Sequence, residues 1–225
     1  MGTRFVKAVI FDMDGVLVNS EPHHVAIEKK LFEQLHLTIT DNEHASFMGK
    51  ASDVMWSEII AKKKLSYEIA ELVGQNDLES KKYFSALKNI DPMPGLVPML
   101  DKISQNHIPM AVASSCGPET IGIILEKAGL KEYFTHIVNS AMVGKSKPEP
   151  DIFLYTAKLL SVKPDECIVV EDSANGIKAA KAAGMYCVAF RGPDFENQDQ
   201  SKADEHMNDF AQLDAVLKKK IAWWS

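Results

Sequence analysis

Ala8-Val9-Ile10-Phe11-Asp12-Met13-Asp14-Gly15-Val16-Leu17 runs from a short apolar segment straight into two acids and a glycine. Such a run without polar alternation suits a parallel strand buried on both faces. The abrupt switch at Asp12 then places two carboxylates where that strand ends. Four further segments, 110–113, 136–138, 167–170 and 186–190, repeat the short apolar or β-branched pattern. Helical patterns lie between them. One opens at Pro118-Glu119-Thr120 and closes near Gly129. Another starts with Pro150 at its first helical position and runs to Leu160. A third covers 174–183, with Gly184 in the C-terminal cap position. Strands alternating with helices of this length predict an α/β fold with a doubly wound parallel sheet.

Residues 21–89 break the alternation. Ile27, Leu31, Phe32 and Leu35, then Met55, Trp56 and Ile59, recur at helical spacing among many Lys and Glu, with no buried strand. Pro92, Pro94 and Gly95 mark the return. The pattern predicts an all-helical domain at 19–90, inserted into a core made of 1–18 and 91–225.

Composition narrows the partners. The chain has 225 residues, 46% of them hydrophobic and 25% charged, with net charge −6, which fits a globular core plus a smaller unit. An acidic balance argues against nucleic-acid binding, which rests on clustered cations. Lys62-Lys63-Lys64 and Lys218-Lys219-Lys220 read as solvated helix faces. No apolar run is long enough for a membrane span. The apolar stretch before Asp12 is too short for a signal-peptide core, and Val6 stands where an N-myristoylation motif needs Ser or Thr. A cytoplasmic address and a monomer are expected. The three cysteines, Cys116, Cys167 and Cys187, form neither a disulfide framework nor a CxxC zinc pair. Cys116 falls in a site loop but reads as incidental.

In open parallel sheets, ligands bind beyond the carboxyl ends of the strands. Asp12 and Asp14 follow the first predicted strand, Ser114-Ser115 the second, Lys147-Pro148 the loop after the third, and Glu171-Asp172 the fourth. Asp12, Asp14, Glu171 and Asp172 would repel one another without a cation among them, and an all-oxygen set favours Mg²⁺. A lysine and a serine hydroxyl beside that ion suit a phosphate. An Asp carboxylate can attack phosphorus, splitting one hard hydrolysis into two easier steps. Asp14 is the candidate acid and base, a role that requires an upward pKa shift from about 3.9. Singly, these residues read better as caps and turns; their joint order at successive strand ends favours a site. Gly144-Lys145-Ser146 is no P-loop, because Asn139 stands where that motif needs glycine and Pro148 and Pro150 follow.

These residues together resemble the haloacid dehalogenase superfamily of phosphatases and mutases. Its DxDGhh motif matches Asp12-Met13-Asp14-Gly15-Val16-Leu17, its strand-end Ser or Thr matches Ser114, and its Lys before Pro matches Lys147-Pro148. Its acidic motif matches Glu171-Asp172-Ser173. The helical insert resembles the small cap of the β-phosphoglucomutase-like branch. The resemblance implies a Rossmann-like core, with Asp12 as nucleophile and Asp12, the Asp14 carbonyl and Asp172 on Mg²⁺, supported by Glu171. It implies Ser114, the Ser115 backbone and Lys147 on the transferring phosphate. In the cap it points to Gly49 and Lys50 in Met48-Gly49-Lys50-Ala51-Ser52, where Ser52 stands near the place of a characteristic mutase arginine. Lys50 is a point charge there, not a bidentate fork. Lys81 and Lys82 lie near a second cationic position, and His24 near the hinge is a candidate substrate contact. These departures imply a phosphatase acting on a small phosphorylated metabolite, a sugar phosphate above all, with a phosphosugar mutase as the alternative.

Overall fold

The structure, a computed structural model, describes residues 6–47, 50–193, 196, 198–222 and 224. Strand β1 (Ala8–Phe11) sits inside a six-stranded sheet with β2 (Met110–Ser114), β3 (His136–Asn139), β4 (Cys167–Glu171), β5 (Tyr186–Phe190) and β6 (Glu205–Met207). The order is β3-β2-β1-β4-β5-β6, and every neighbouring pair is parallel. The expected doubly wound sheet is therefore present. The sixth strand is an addition: Glu205-His206-Met207 carries no apolar run, because an edge strand buries little.

Side-chain alternation along each strand feeds two cores. Val9, Phe11, Val112, Ile168 and Val170 pack on one face. They meet α5 (Leu96–Gln105), α6 (Pro118–Lys127) and α9 (Ala211–Lys220) through Leu100, Ile124 and Leu213. Ala8, Ile10, Ala113, Val169 and Cys187 pack on the other, against α7 (Asp151–Leu159) and α8 (Ala174–Ala182) through Phe153 and Ile177. Pro150 is the residue before α7, with helical φ and ψ, rather than its first turn. Gly184 follows α8 at φ +76°, the left-handed position glycine accepts most readily.

The stretch after β1 is helical throughout its regular structure: α1 (Glu21–Gln34), α2 (Asp41–Ala45), α3 (Ser52–Lys63) and α4 (Ile69–Ala86). Ile27, Leu31, Phe32, Met55, Trp56, Ile59, Leu72 and Phe84 close its interior. Its two ends meet where Val18 pairs with Pro92 and the Met93 N–H donates to Leu17 O at 2.8 Å. This is the inserted helical cap. No helix among the described residues is long and apolar enough to cross a membrane.

Candidate active site

Register aligns the strand ends. Phe11 lies beside Val112 on one side and Val170 on the other, so residues following β1, β2 and β4 emerge on one rim. The strand order reverses between β1 and β4, the switch point at which open α/β sheets form their crevice. Asp12 and Asp172 flank it. Between this rim and the cap lies a cleft lined by Asp12, Asp14, Ser115, Lys147 and Asp172 below and by His24, Lys50, Ser52, Asn76 and Asp77 above.

Asp12, only 6% exposed, accepts from Lys147 Nζ at 2.5 Å. The same ammonium donates to Glu171 Oε1 at 2.7 Å and Ala113 O at 3.1 Å, and lies over the Phe153 ring. Glu171 is held in turn through Oε2, which accepts from the Ser173 N–H at 2.8 Å and hydroxyl at 3.0 Å. Ser173 also caps α8, its hydroxyl accepting from Gly176 N at 3.0 Å. Gly176 is required here: a Cβ would lie 1.5 Å from Glu171 Oε1. Gly15, at φ +76°, does the same for Asp172, whose Oδ2 would stand 2.0 Å from an added Cβ.

Negative charge is in excess around this pair. Burial raises the Asp12 pKa; Lys147 pulls it down, Glu171 and Asp14 push it up again, and it stands at about 8. Burial, reinforced by Glu171 and Asp12, lifts Asp172 well above the carboxylate range. Burial also works against the Lys147 ammonium, but Asp12 and Glu171 outweigh it and raise its pKa.

Asp14 differs. Its Oδ1 accepts from Ser20 Oγ at 2.5 Å and contacts His24 Nε2 at 2.9 Å. Its Oδ2 accepts from Ser114 Oγ at 3.3 Å and Cys116 Sγ at 3.2 Å. Burial pushes Asp14 up, yet His24, Ser20 and Cys116 outweigh it and hold the pKa at about 2. The upward shift expected of a catalytic acid is thus absent; four donors favour the ionised form. His24 moves the opposite way: burial opposes its charge, but contacts with Cys116 and Asp14 raise its pKa well above the usual value.

The structure thus gathers Asp12, Lys147 and Glu171 into one hydrogen-bonded group and Asp14, Ser114 and Cys116 into a second, with Ser115 and Asp172 on the cleft wall. It places His24 on Asp14. Lys50 lines the cleft, but its ammonium is held by both Glu58 oxygens at 2.8 Å. Gly49 lies outside the described residues. Lys81 pairs with Glu119 and Lys82 with Glu79, and neither lines the cleft. Cys116 is no bystander, since it touches Asp14 and its backbone N–H donates to Ser114 Oγ at 3.1 Å. Sequence reasoning also passed over Ser20, Phe153 and Gln200, whose amide donates to Asp172 O at 2.7 Å and Phe190 O at 2.9 Å. A serine before a helix-starting Glu-Pro signals a cap, and nothing local points Ser20 at Asp14.

The family described as haloacid dehalogenase-like hydrolase matches residues 9–190. β-Phosphoglucomutase of Bacillus subtilis is 30% identical, the alignment covering 81% of this chain and 82% of that protein. The phosphorylated carbohydrates phosphatase of Thermotoga maritima is 29% identical over 80% of this chain and 82% of its own. Among solved structures, β-phosphoglucomutase from Clostridium difficile superposes with TM-score 0.82 at 27% identity, covering 96% of this chain and 97% of that one. The chain therefore belongs to the haloacid dehalogenase-like hydrolases, among the phosphoric monoester hydrolases and phosphomutases of that family.

Proposed function

We propose that the chain is a Mg²⁺-dependent phosphatase that hydrolyses a small phosphorylated metabolite, a sugar phosphate above all, through an aspartyl-phosphate on Asp12. The observation that carries this reading is the buried Asp12 carboxylate beside Lys147, opening on a cleft shared with Asp14 and His24. The residues fit a divalent cation. Asp12 and Asp172 follow the two strands that flank the switch point and both line the cleft; burial and like charge push both up, and their donor atoms are all oxygen. Asp12, Asp172 and the Asp14 main-chain carbonyl would hold Mg²⁺. When bound, it would neutralise charge between carboxylate and phosphate and keep Asp12 ionised. Glu171 does not face that position, because Lys147 and Ser173 occupy both its oxygens; it orients Lys147.

Asp12 Oδ attacks phosphorus as the bond to the leaving oxygen breaks. Lys147 and the Ser114 hydroxyl stabilise the transferring phosphoryl oxygens. Asp14, held ionised, cannot donate a proton of its own. The proton resides on His24 Nε2 and reaches the leaving oxygen through Asp14 Oδ1, 2.9 Å away. Water then attacks the aspartyl-phosphate, Asp14 accepts its proton, and inorganic phosphate departs.

A phosphosugar mutase is the second reading, favoured by the β-phosphoglucomutase relatives. Against it stands the charge of the cleft. Its cationic lining residues among those described are His24, Lys50 and Lys147, and each is engaged by a carboxylate, so no cation is reserved for a second phosphate. The deciding experiment incubates the enzyme with a panel of phosphate monoesters and Mg²⁺, and measures released phosphate and isomerised product. Free phosphate is expected, chelation should abolish it, and Asp12→Asn should lower turnover about 10³-fold or more. A bisphosphate-dependent isomerisation would replace this reading with the mutase; undiminished turnover in Asp12→Asn would end both.

A further inference from the structure

Asp14, His24 and Cys116 bring one oxygen, one nitrogen and one sulfur donor together on the cleft wall. His24 Nε2 is 2.9 Å from Asp14 Oδ1, Cys116 Sγ is 3.2 Å from Asp14 Oδ2, and Sγ and Nε2 are 3.7 Å apart. The donors come from three parts of the fold: the loop after β1, helix α1 of the cap, and the loop after β2. A tetrahedral zinc ion, with ligands at about 2.0–2.3 Å, sets its donor atoms roughly 3.3–3.7 Å apart. With one Asp14 oxygen taken as the ligand, the three donor atoms all lie within 4.8 Å of one another, so side-chain adjustment is needed to close them on one ion. Mixed O, N and S donors select zinc-type ions over Mg²⁺.

The surroundings resemble the outer layer of a metal site. Ser20 and Ser114 hold the two Asp14 oxygens. The edge of Phe84 packs on the His24 ring, with centroids 5.4 Å apart. Such support orients ligands and tightens binding. All three residues line the cleft, so water or a phosphate oxygen could complete the coordination of an ion held there.

We propose that Asp14, His24 and Cys116 form a binding site for a thiophilic divalent cation of the zinc type, distinct from the Asp12–Asp172 position, whose occupation arrests the enzyme. Binding releases the thiol proton of Cys116 and the imidazolium proton of His24 to solvent. Three metal–ligand bonds replace the three side-chain contacts. The ion takes the carboxylate that handles the proton and ties α1 of the cap to the core. The arrest rests on the phosphatase reading; the binding does not.

Co²⁺ is the direct probe, since a coordinated thiolate gives a near-ultraviolet charge-transfer band. Purified full-length enzyme, with Mg²⁺ in excess, is expected to bind one Co²⁺ with that band, displaced by Zn²⁺. Cys116→Ser, which keeps the side-chain shape, should lose the band. His24→Gln should weaken Zn²⁺ binding about tenfold or more. A Cys167→Ala/Cys187→Ala variant should keep the band, both thiols being buried away from the cleft. Absence of the band in the parent, or its survival in Cys116→Ser, overturns the site. In turnover of p-nitrophenyl phosphate, Zn²⁺ inhibition should persist in excess Mg²⁺, with Cys116→Ser needing about tenfold more Zn²⁺ for half-inhibition. Relief by Mg²⁺ alone would put the ion at Asp12 and Asp172 and overturn the arrest. Should no phosphate ester be turned over, the Co²⁺ measurement still decides binding.

Discussion

At Asp14, four donors from Ser20, His24, Ser114 and Cys116 converge on one carboxylate. Each stabilises the charged form, and together they overcome the burial that would raise the pKa. A proton for the leaving group must then be stored next door, on His24. The consequence is a dependence on leaving group. Asp14→Asn should slow hydrolysis of a sugar phosphate by roughly 10²–10⁴-fold, the usual range for a lost acid–base group. It should slow p-nitrophenyl phosphate far less, because nitrophenolate departs without a proton. His24→Gln should show the same selectivity with a smaller loss. Steady-state kinetics on the two substrates checks this; equal losses on both would count against proton delivery through the pair.

Helix α8 begins where chemistry and capping share atoms. Ser173 holds both the helix N-terminus and Glu171, and Glu171 holds Lys147. Gly176 leaves room for the Glu171 carboxylate, so Gly176→Ala must displace one of them. Overpacking of this kind costs about 1–3 kcal/mol. A melting temperature lowered by several degrees is expected, together with lost turnover as Lys147 loses its support. Helix α9 is tied down differently. Asp214 accepts from Lys102 of α5 at 2.7 Å, Lys218 at 2.8 Å and Trp224 Nε1 at 2.7 Å. These bonds, that from Lys102 first, hold its pKa below the usual range. A depressed carboxylate stabilises the fold above its unfolded pKa of about 3.9, and that contribution is lost as pH falls towards the folded value. Asp214→Asn should therefore cost about 0.5–1 kcal/mol at pH 7, the range for solvent-screened pairs. The gap to the parent should narrow below about pH 4, as thermal unfolding at the two pH values would show.

Across the whole molecule, the cap meets the core over the cleft through small polar contacts. Lys81 of α4 pairs with Glu119 of α6, Lys127 donates to Ser85 O at 3.1 Å, and Ser146 donates to Asp53 at 3.3 Å. Exposed contacts of this kind contribute little each, but His24 of α1 adds a part-buried bond to Asp14 at 2.9 Å; release of these contacts would let the cap swing about the crossing at Val18 and Pro92. Gly117, in the loop before α6, approaches α4 closely: a Cβ there would lie 3.1 Å from the Asp77 carboxylate. Gly117→Leu should wedge the cap open. We expect KM to rise about tenfold, since an open cap binds substrate poorly, and small-angle scattering to show a larger radius of gyration. An unchanged profile with unchanged KM would mean that the cap does not close over substrate.

The strands β1 to β5, the helical insert and the residues at the rim were legible from local pattern. Buried parallel strands must be apolar throughout, and catalytic polar groups must begin where those strands end. Asp12, Asp14, Ser114, Lys147 and Asp172 could thus be picked out by position alone. Edge strand β6 escaped because it buries too little to leave a pattern, and Ser20, Cys116 and Gln200 because their partners are distant in sequence. The chemical state of the site belonged to tertiary structure as well. Whether Asp14 holds or loses its proton depends on His24 from the cap and Cys116 from the β2 loop, 10 and 102 residues away. A pKa is a sum over neighbours in space, and only the folded chain brings those neighbours within three or four ångströms. The sequence alone determined which groups stand at the rim; packing of cap on core decided which of them are charged.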